Sequence, residues 1–325
     1  MTTLSAFLVI LLAALSPEAP GTAPVPAPAA GEGLRIAVTI DDVPAGGRDL
    51  GLERLESMTR KLLDSLARQS VPAIGFVNES KLEQPGEAPA RTALLESWLV
   101  AGMDLGNHTF SHPSLTATPV ERYQEDIVRG ETVTRGLLQR HGGSLRYFRY
   151  PFLRTGRTRE SKKAVERFLD ERGYRIAPVT VENSDYLFAA AYEMALRRQD
   201  PRLAARVADQ YLEFTRSAFE FWEMVSARLL GRQVSHVLLL HANQLNADHF
   251  DRVADLIRGR GYRFVPLDAA MKDEAYEIAD TYVGEMGISW LQRWAGTLGV
   301  TIDWKLEPEP PEEIFELFDQ YRRNE

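Results

Sequence analysis

From residue 34 onward, short apolar runs alternate with longer stretches in which apolar residues recur every three or four positions. The short runs read as strands buried on both faces. They cover 35–40, 72–78, 103–107, 146–150, 175–181, 236–241 and 262–267. The longer stretches read as amphipathic helices. Over 52–69, Leu52, Leu55, Met58, Leu62, Leu63 and Leu66 form one stripe, with charges elsewhere. Residues 91–101, 120–139, 161–172 and 250–260 repeat that pattern. Residues 186–230 interrupt the rhythm with two long helices, Pro201 at the start of the second, and Phe214, Phe219, Phe221 and Trp222 packing outside the sheet. Seven strands joined by helical crossovers predict an α/β fold with a parallel sheet, either an incomplete (β/α) barrel or a doubly wound sheet. Gly102-Met-Asp-Leu-Gly106 lacks the spacing of a dinucleotide loop.

In parallel α/β folds the chemistry collects at the carboxyl ends of the strands. Here those ends carry Asp41 and Asp42, Asn78, Asn107 and His108, Arg149, Glu182 through Asp185, His241 and Asn243, and Asp268. Neighbours on an extended strand face opposite ways unless the strand bends. Asp41 and Asp42 are therefore either a solvated acidic turn or two carboxylates with separate jobs, one on a metal and one as a base. His108 and His112 stand four apart, which on a helical turn places both on one face, able to bind one metal with Asp42. Two imidazoles and a carboxylate leave coordination positions open, as in catalytic zinc sites. The same set suits iron, cobalt or nickel. Asn243 predicts a helix cap. His141, His236 and His249 carry no pattern of their own.

Composition narrows the classes. The chain has 325 residues, 44% of them hydrophobic, ample for a large core. A net charge of −8 argues against a nucleic-acid partner. With no cysteine, disulfides and thiolate chemistry are excluded. Residues 6–15 form an apolar run of signal-peptide length, too short for a confident membrane span, and Ala27 and Ala29 suggest processing, although residues 1–5 contain no Lys or Arg. Residues 17–32 read as a Pro- and Ala-rich linker. The expected layout is a signal-like segment and linker over 1–32 and one domain with a C-terminal helical extension over 33–325. Its expected location is secreted or periplasmic, with no stable membrane span after processing. Tyr282, Trp290 and Trp294 are expected to pack on the barrel. Residues 307–313 read as an acidic spacer before a last short helix.

Thr39-Ile-Asp-Asp-Val43, His108-Thr-Phe-Ser-His112, Arg149-Tyr-Pro-Phe152, Glu182-Asn-Ser-Asp185 and Leu238-Leu-Leu-His-Ala-Asn243 resemble, in order, the five motifs of the polysaccharide deacetylase family, the NodB-homology group within carbohydrate esterase family 4. The resemblance implies a distorted (β/α)7 barrel, with the helical insertion before its last two strands. It implies a metal-dependent hydrolase that removes acetyl groups from N-acetylated carbohydrate, such as chitooligosaccharide or peptidoglycan. One divalent ion, zinc before cobalt, nickel or iron, would be held by Asp42, His108 and His112. Asp41 would be the base toward the attacking water, and Arg149 its ionic partner. The Phe152 N–H would face the oxyanion, Leu239 would wall the acetyl methyl, and His241 would be the acid. Asp185 or Glu182 would orient His241. Glu182 stands where the family usually has Asp, and Tyr186 where it usually has Trp; Tyr186 could still stack on a sugar. Alternatives are an O-acetyl esterase or small-amide hydrolase on the same fold, or a non-catalytic carbohydrate-binding relic. The set of Asp41, Arg149 and His241 argues against the relic.

Overall fold

The computed structural model describes residues 33–47 and 50–323. The signal-like segment and the Ala27 and Ala29 positions lie outside these. Seven strands pair in parallel: β1 (Arg35–Val43), β2 (Ile74–Val77), β3 (Asp104–Asn107), β4 (Tyr147–Phe148), β5 (Arg175–Ile176), β6 (His236–His241) and β7 (Arg263–Phe264). Their order is β5-β4-β3-β2-β1-β6, with β7 beside the first residues of β1. After β5 the chain crosses to β6, where Val181 bridges Leu238. That contact curls the sheet into a distorted (β/α)7 barrel with helices around it.

Side chains alternate across each strand, so the barrel has two cores. Ile36, Val38, Ile40, Leu238 and Leu240 face outward into the large cluster beneath the helices. Ala37, Ile74, Phe76, Tyr147 and Val237 fill the lower barrel interior. Continuing the inward register upward brings Thr39 and Asp41 on β1, Leu239 and His241 on β6, and Arg149 beyond β4 to one end of the barrel. Gly106 belongs to this register as well: a Cβ there would meet the Phe76 ring at 2.5 Å.

Three expectations need correction. The run 175–181 is not one strand. Pro178 lacks the N–H a ladder requires, so residues 175–176 pair with β4, and only after it do Thr180 and Val181 reach β6. The helix expected over 120–139 is two, Val120–Arg129 and Thr132–Arg140, because the chain breaks at Gly130 and Glu131. Asp268, expected at the chemical end, instead meets Arg146 and Arg175 at 2.5 and 3.3 Å, together with the Tyr147 hydroxyl.

The insertion is a pair of helices, Asp185–Arg197 and Pro201–Leu230. Asp200 caps the second helix, and Phe214, Phe219, Phe221 and Trp222 are buried against the rest of the molecule. After β7 the chain returns along the barrel mouth through the helices Trp290–Leu298 and Glu312–Arg323. Trp290 and Trp294 are buried. No helix among the described residues is long and apolar enough to cross a membrane.

Candidate active site

Asp42 adopts φ 68°, and the register between β1 and β2 shifts between Ile40 and Val43. This bend removes the alternation that would set the two carboxylates on opposite faces, and both line one cavity of about 660 Å³. The loop after β3 supplies the imidazoles. It is not a helical turn, as the spacing had suggested. Thr109 and His112 take φ values of 67° and 60°, folding the chain back so that the rings approach to 4.8 Å between centroids. Among the described residues six of the eight non-glycine positions with positive φ lie at or beside this cavity: Asp42, Thr109, His112, Phe152, Leu153 and Ser184. Such backbone is costly, and it gathers where surrounding structure fixes a functional geometry.

The ligand atoms of Asp42, His108 and His112 lie within 4.8 Å of one another. His112 Nε2 is 3.5 Å and His108 Nε2 3.8 Å from Asp42 Oδ1. His108 Nδ1 meets the Arg149 carbonyl at 2.8 Å, which makes Nδ1 the protonated nitrogen and leaves the Nε2 lone pair facing the carboxylate. Asp42 Oδ1 is buried with no hydrogen-bond partner. Burial first, and then the neighbouring imidazole, holds His108 well below its ordinary pKa; burial also lowers His112. Burial opposes charge on Asp42, but Lys81 and the two imidazoles outweigh it and hold its pKa well below the usual range. Two neutral imidazoles, one carboxylate and an orphaned buried oxygen are the donor set that fits a divalent cation.

Asp41 is buried beside Arg149, whose Nη1 lies 3.4 Å from Oδ2. Burial raises the Asp41 pKa to about 6 even though Arg149 and His241 pull it down. Arg149 is fully buried; its Nη2 donates to Thr39 Oγ1 at 2.9 Å, and its guanidinium lies over the Phe76 ring. Across the cavity, His241 Nδ1 meets Asp185 Oδ1 at 2.7 Å. The other Asp185 oxygen accepts from the His241 and Asn246 nitrogens at 2.8 and 2.7 Å and from Asn243 at 3.0 Å. Burial disfavours the charged ring, but Asp185 and the other acidic neighbours raise the His241 pKa to about 9. Glu182, the other expected partner of His241, accepts instead from the Ser184 N–H at 3.2 Å. Phe152, Leu239 and Tyr186 all line the cavity, and Phe152 stacks edge-on against His112. Asn243 caps the helix Gln244–Gly259 as well as bonding Asp185, so that helix begins well before the expected residue 250.

Lys81 and Glu79 escaped the sequence reading, and Asn78 was noted only as a strand-end residue without a role. Asn78 donates to the His108 carbonyl at 2.6 Å and ties the imidazole loop to β2. Its place at a strand end was the only signal. Lys81 Nζ lies 2.8 Å from the Ala45 carbonyl and 3.4 Å from Asp42 Oδ1, and no spacing pattern announces it. Glu79 accepts from the Val133 and Thr134 N–H groups, capping the second half of the broken helix.

The family model for polysaccharide deacetylase matches residues 30–169. Over that span the chain is similar to the polysaccharide deacetylase family. The matched segment holds Asp41, Asp42, His108, His112, Arg149 and Phe152; Asp185 and His241 lie beyond it. A search of curated proteins finds no match. Among solved structures, a family 4 carbohydrate esterase from Streptomyces lividans in complex with acetate is 20% identical, over 71% of this chain and 91% of its own, with a TM-score of 0.45. A family 4 acetyl xylan esterase from Clostridium thermocellum in complex with a cobalt ion is 18% identical, over 73% and 90%, with a TM-score of 0.48. A family 4 pseudoenzyme from Bacillus anthracis is 13% identical, over 73% and 65%, with a TM-score of 0.45.

Proposed function

We propose that the protein hydrolyses the acetyl amide of an N-acetylated sugar with the help of one divalent metal ion, zinc foremost. The observation that carries this reading is the Asp185–His241 pair, which opens onto the same cavity as Asp41 and the three metal donors. A cation held by Asp42, His108 and His112 supplies Lewis acidity toward a carbonyl and lowers the pKa of water. Asp41, with its pKa near 6, is matched to accept the proton of the attacking water near neutral pH. Arg149 holds its charge and orientation. The Phe152 N–H, on a backbone of positive φ at the cavity, would donate to the carbonyl oxygen as negative charge develops there. Leu239 bounds the space for the methyl group.

As the carbon–nitrogen bond breaks, His241 gives its proton to the departing nitrogen. Acetate and a free amine result. An amine anion is too basic to leave unprotonated, whereas an alkoxide leaves more readily. A histidine held charged to about pH 9 therefore favours an amide over an ester. The test is acetate release by purified protein loaded with zinc or cobalt. Chitooligosaccharide or peptidoglycan fragments should release acetate. Release from acetylated xylan alone would establish the ester reading instead, and no release from any of them would overturn both. We also propose export to the periplasm or beyond, on the strength of the apolar segment 6–15.

A further inference from the structure

The return of the chain across the barrel mouth takes no part in the chemistry above, yet it shapes the cavity. A Cβ on Gly287 would collide with the Phe152 carbonyl, so only glycine lets this strand of chain press against that bank of the site. Arg293 is buried and clamps the same bank, donating to the Leu153 carbonyl at 2.6 Å and Thr155 Oγ1 at 2.9 Å. From there the wall continues through Ser289, whose hydroxyl donates to the Thr180 carbonyl at 3.1 Å, then Gln292 and Glu307. It ends at Phe318 on the last helix, whose ring stands 6.0 Å from that of Tyr186 on the opposite bank. Beyond Phe318 lies a second chamber of about 280 Å³, lined by Leu50, Met58, Ala190 and Tyr321. Asp42, Tyr186, His241 and Phe318 line both chambers.

We propose that this wall, completed by Phe318, restricts the deacetylase to the terminal sugar of a chain or to a short free glycan. An internal sugar of a polymer needs an exit for the chain at both ends of its ring. The wall closes the side running from Leu153 to Tyr186, so a glycan enters and leaves by the same side. A cavity of about 660 Å³ is of the size that encloses a small ligand, ~300–1,000 Å³, rather than a thread of polymer. Phe152, Tyr186 and Met286 leave large apolar surfaces exposed at the rim, suited to the face of a sugar ring. Phe318 is the specificity residue, because its ring separates the catalytic chamber from the space into which a longer chain would extend.

The proposal rests on the amidohydrolase reading, and one experiment separates the two. Fully acetylated chitooligosaccharides from dimer to hexamer are incubated with the metal-loaded protein, and the product positions are read by mass spectrometry. Release of a single terminal acetyl group at every length is expected. Phe318→Ala is expected to raise the hexamer-to-dimer ratio of kcat/KM by ~10-fold or more, within the range that reshaping an apolar pocket commands. Phe318→Leu, which keeps the packing apolar, should shift the ratio in the same direction by less. Removal of internal acetyl groups by the unaltered protein would overturn the restriction while leaving the deacetylase reading intact. An unchanged ratio in folded Phe318→Ala, verified by its melting transition, would overturn the role of Phe318. No release at any length would overturn the underlying reading.

Discussion

At the scale of single residues, Asp41 and Asp42 are adjacent in sequence and separate in their proposed tasks. Asp41→Asn should lower kcat at least ~100-fold, the contribution of a positioned base, and leave bound metal near one per chain by elemental analysis. His108→Ala should lose the metal itself. His241 makes a pH prediction. Its folded pKa, about 9, lies above the ordinary 6.5, so the charged acid persists to alkaline pH. Activity should fall as pH rises through about 9, and Asp185→Asn should move that alkaline limb downward, because the largest favourable interaction with the charged ring is gone. The same shift governs folding. Stabilisation from the protonated ring is complete below pH 6.5 and is lost as pH rises through about 9. Denaturant titrations at pH 6 and pH 9.5 should show the loss in the parent protein and a smaller one in Asp185→Asn.

At the scale of elements, the break between Val120–Arg129 and Thr132–Arg140 serves the site. A Cβ on Gly130 would stand 2.5 Å from the Phe110 nitrogen and the Thr109 carbonyl carbon, both in the loop that carries His108 and His112. Phe110 N–H in turn donates to the Asp126 carbonyl, and Ser111 bonds the Asp126 carboxylate through both its N–H and its hydroxyl. The helix end is a cradle for the imidazole loop. Alanine is a better helix former than glycine by ~1 kcal/mol, yet Gly130→Ala should weaken metal binding because the loop must move. A 10- to 100-fold rise in the metal dissociation constant, ~ the effect of losing an outer-shell support, is expected by competition with a chelator. Helical periodicity continues through 120–139, and Gly130 alone gave a weak local signal for a break. The break is imposed by another segment. The same holds for the histidine loop, where four-residue spacing suggested a helix and left-handed backbone supplied the convergence instead. Strands were legible because their apolar runs are continuous. Their ends were not, because Pro178 and Pro266 end pairing that the apolar runs alone would extend.

At the scale of the whole molecule, the buried His236 ties barrel stability to pH. It is fully buried at the start of β6, with Nδ1 3.1 Å from Thr180 Oγ1. Burial lowers its pKa to about 3. The unfolded chain takes up a proton below about 6.5 that the folded chain refuses until about 3, so stability falls as pH falls across that window. His236→Gln, which cannot titrate, should flatten the dependence between pH 6.5 and 4 in chemical denaturation, whatever it costs at pH 7. The end of the barrel that holds the candidate site was legible from strand-end residues, since a parallel sheet gathers them at one end. The wall from Gly287 to Phe318 was not, because its residues carry no motif and acquire meaning only by lying across the mouth.

That wall has a bearing on how such a protein can change. The metal donors, Asp41 and Arg149 all fall within residues 30–169, the span that the family model matches, while every residue of the wall lies after residue 285. With Asp185 and His241 added, the proposed chemistry ends at residue 241, and the proposed choice of substrate is written in the separate length after it. Gly287 and Arg293 brace the Phe152 bank and must stay, so new specificities on this scaffold are best sought at Phe318 and the other wall residues that leave that bank untouched.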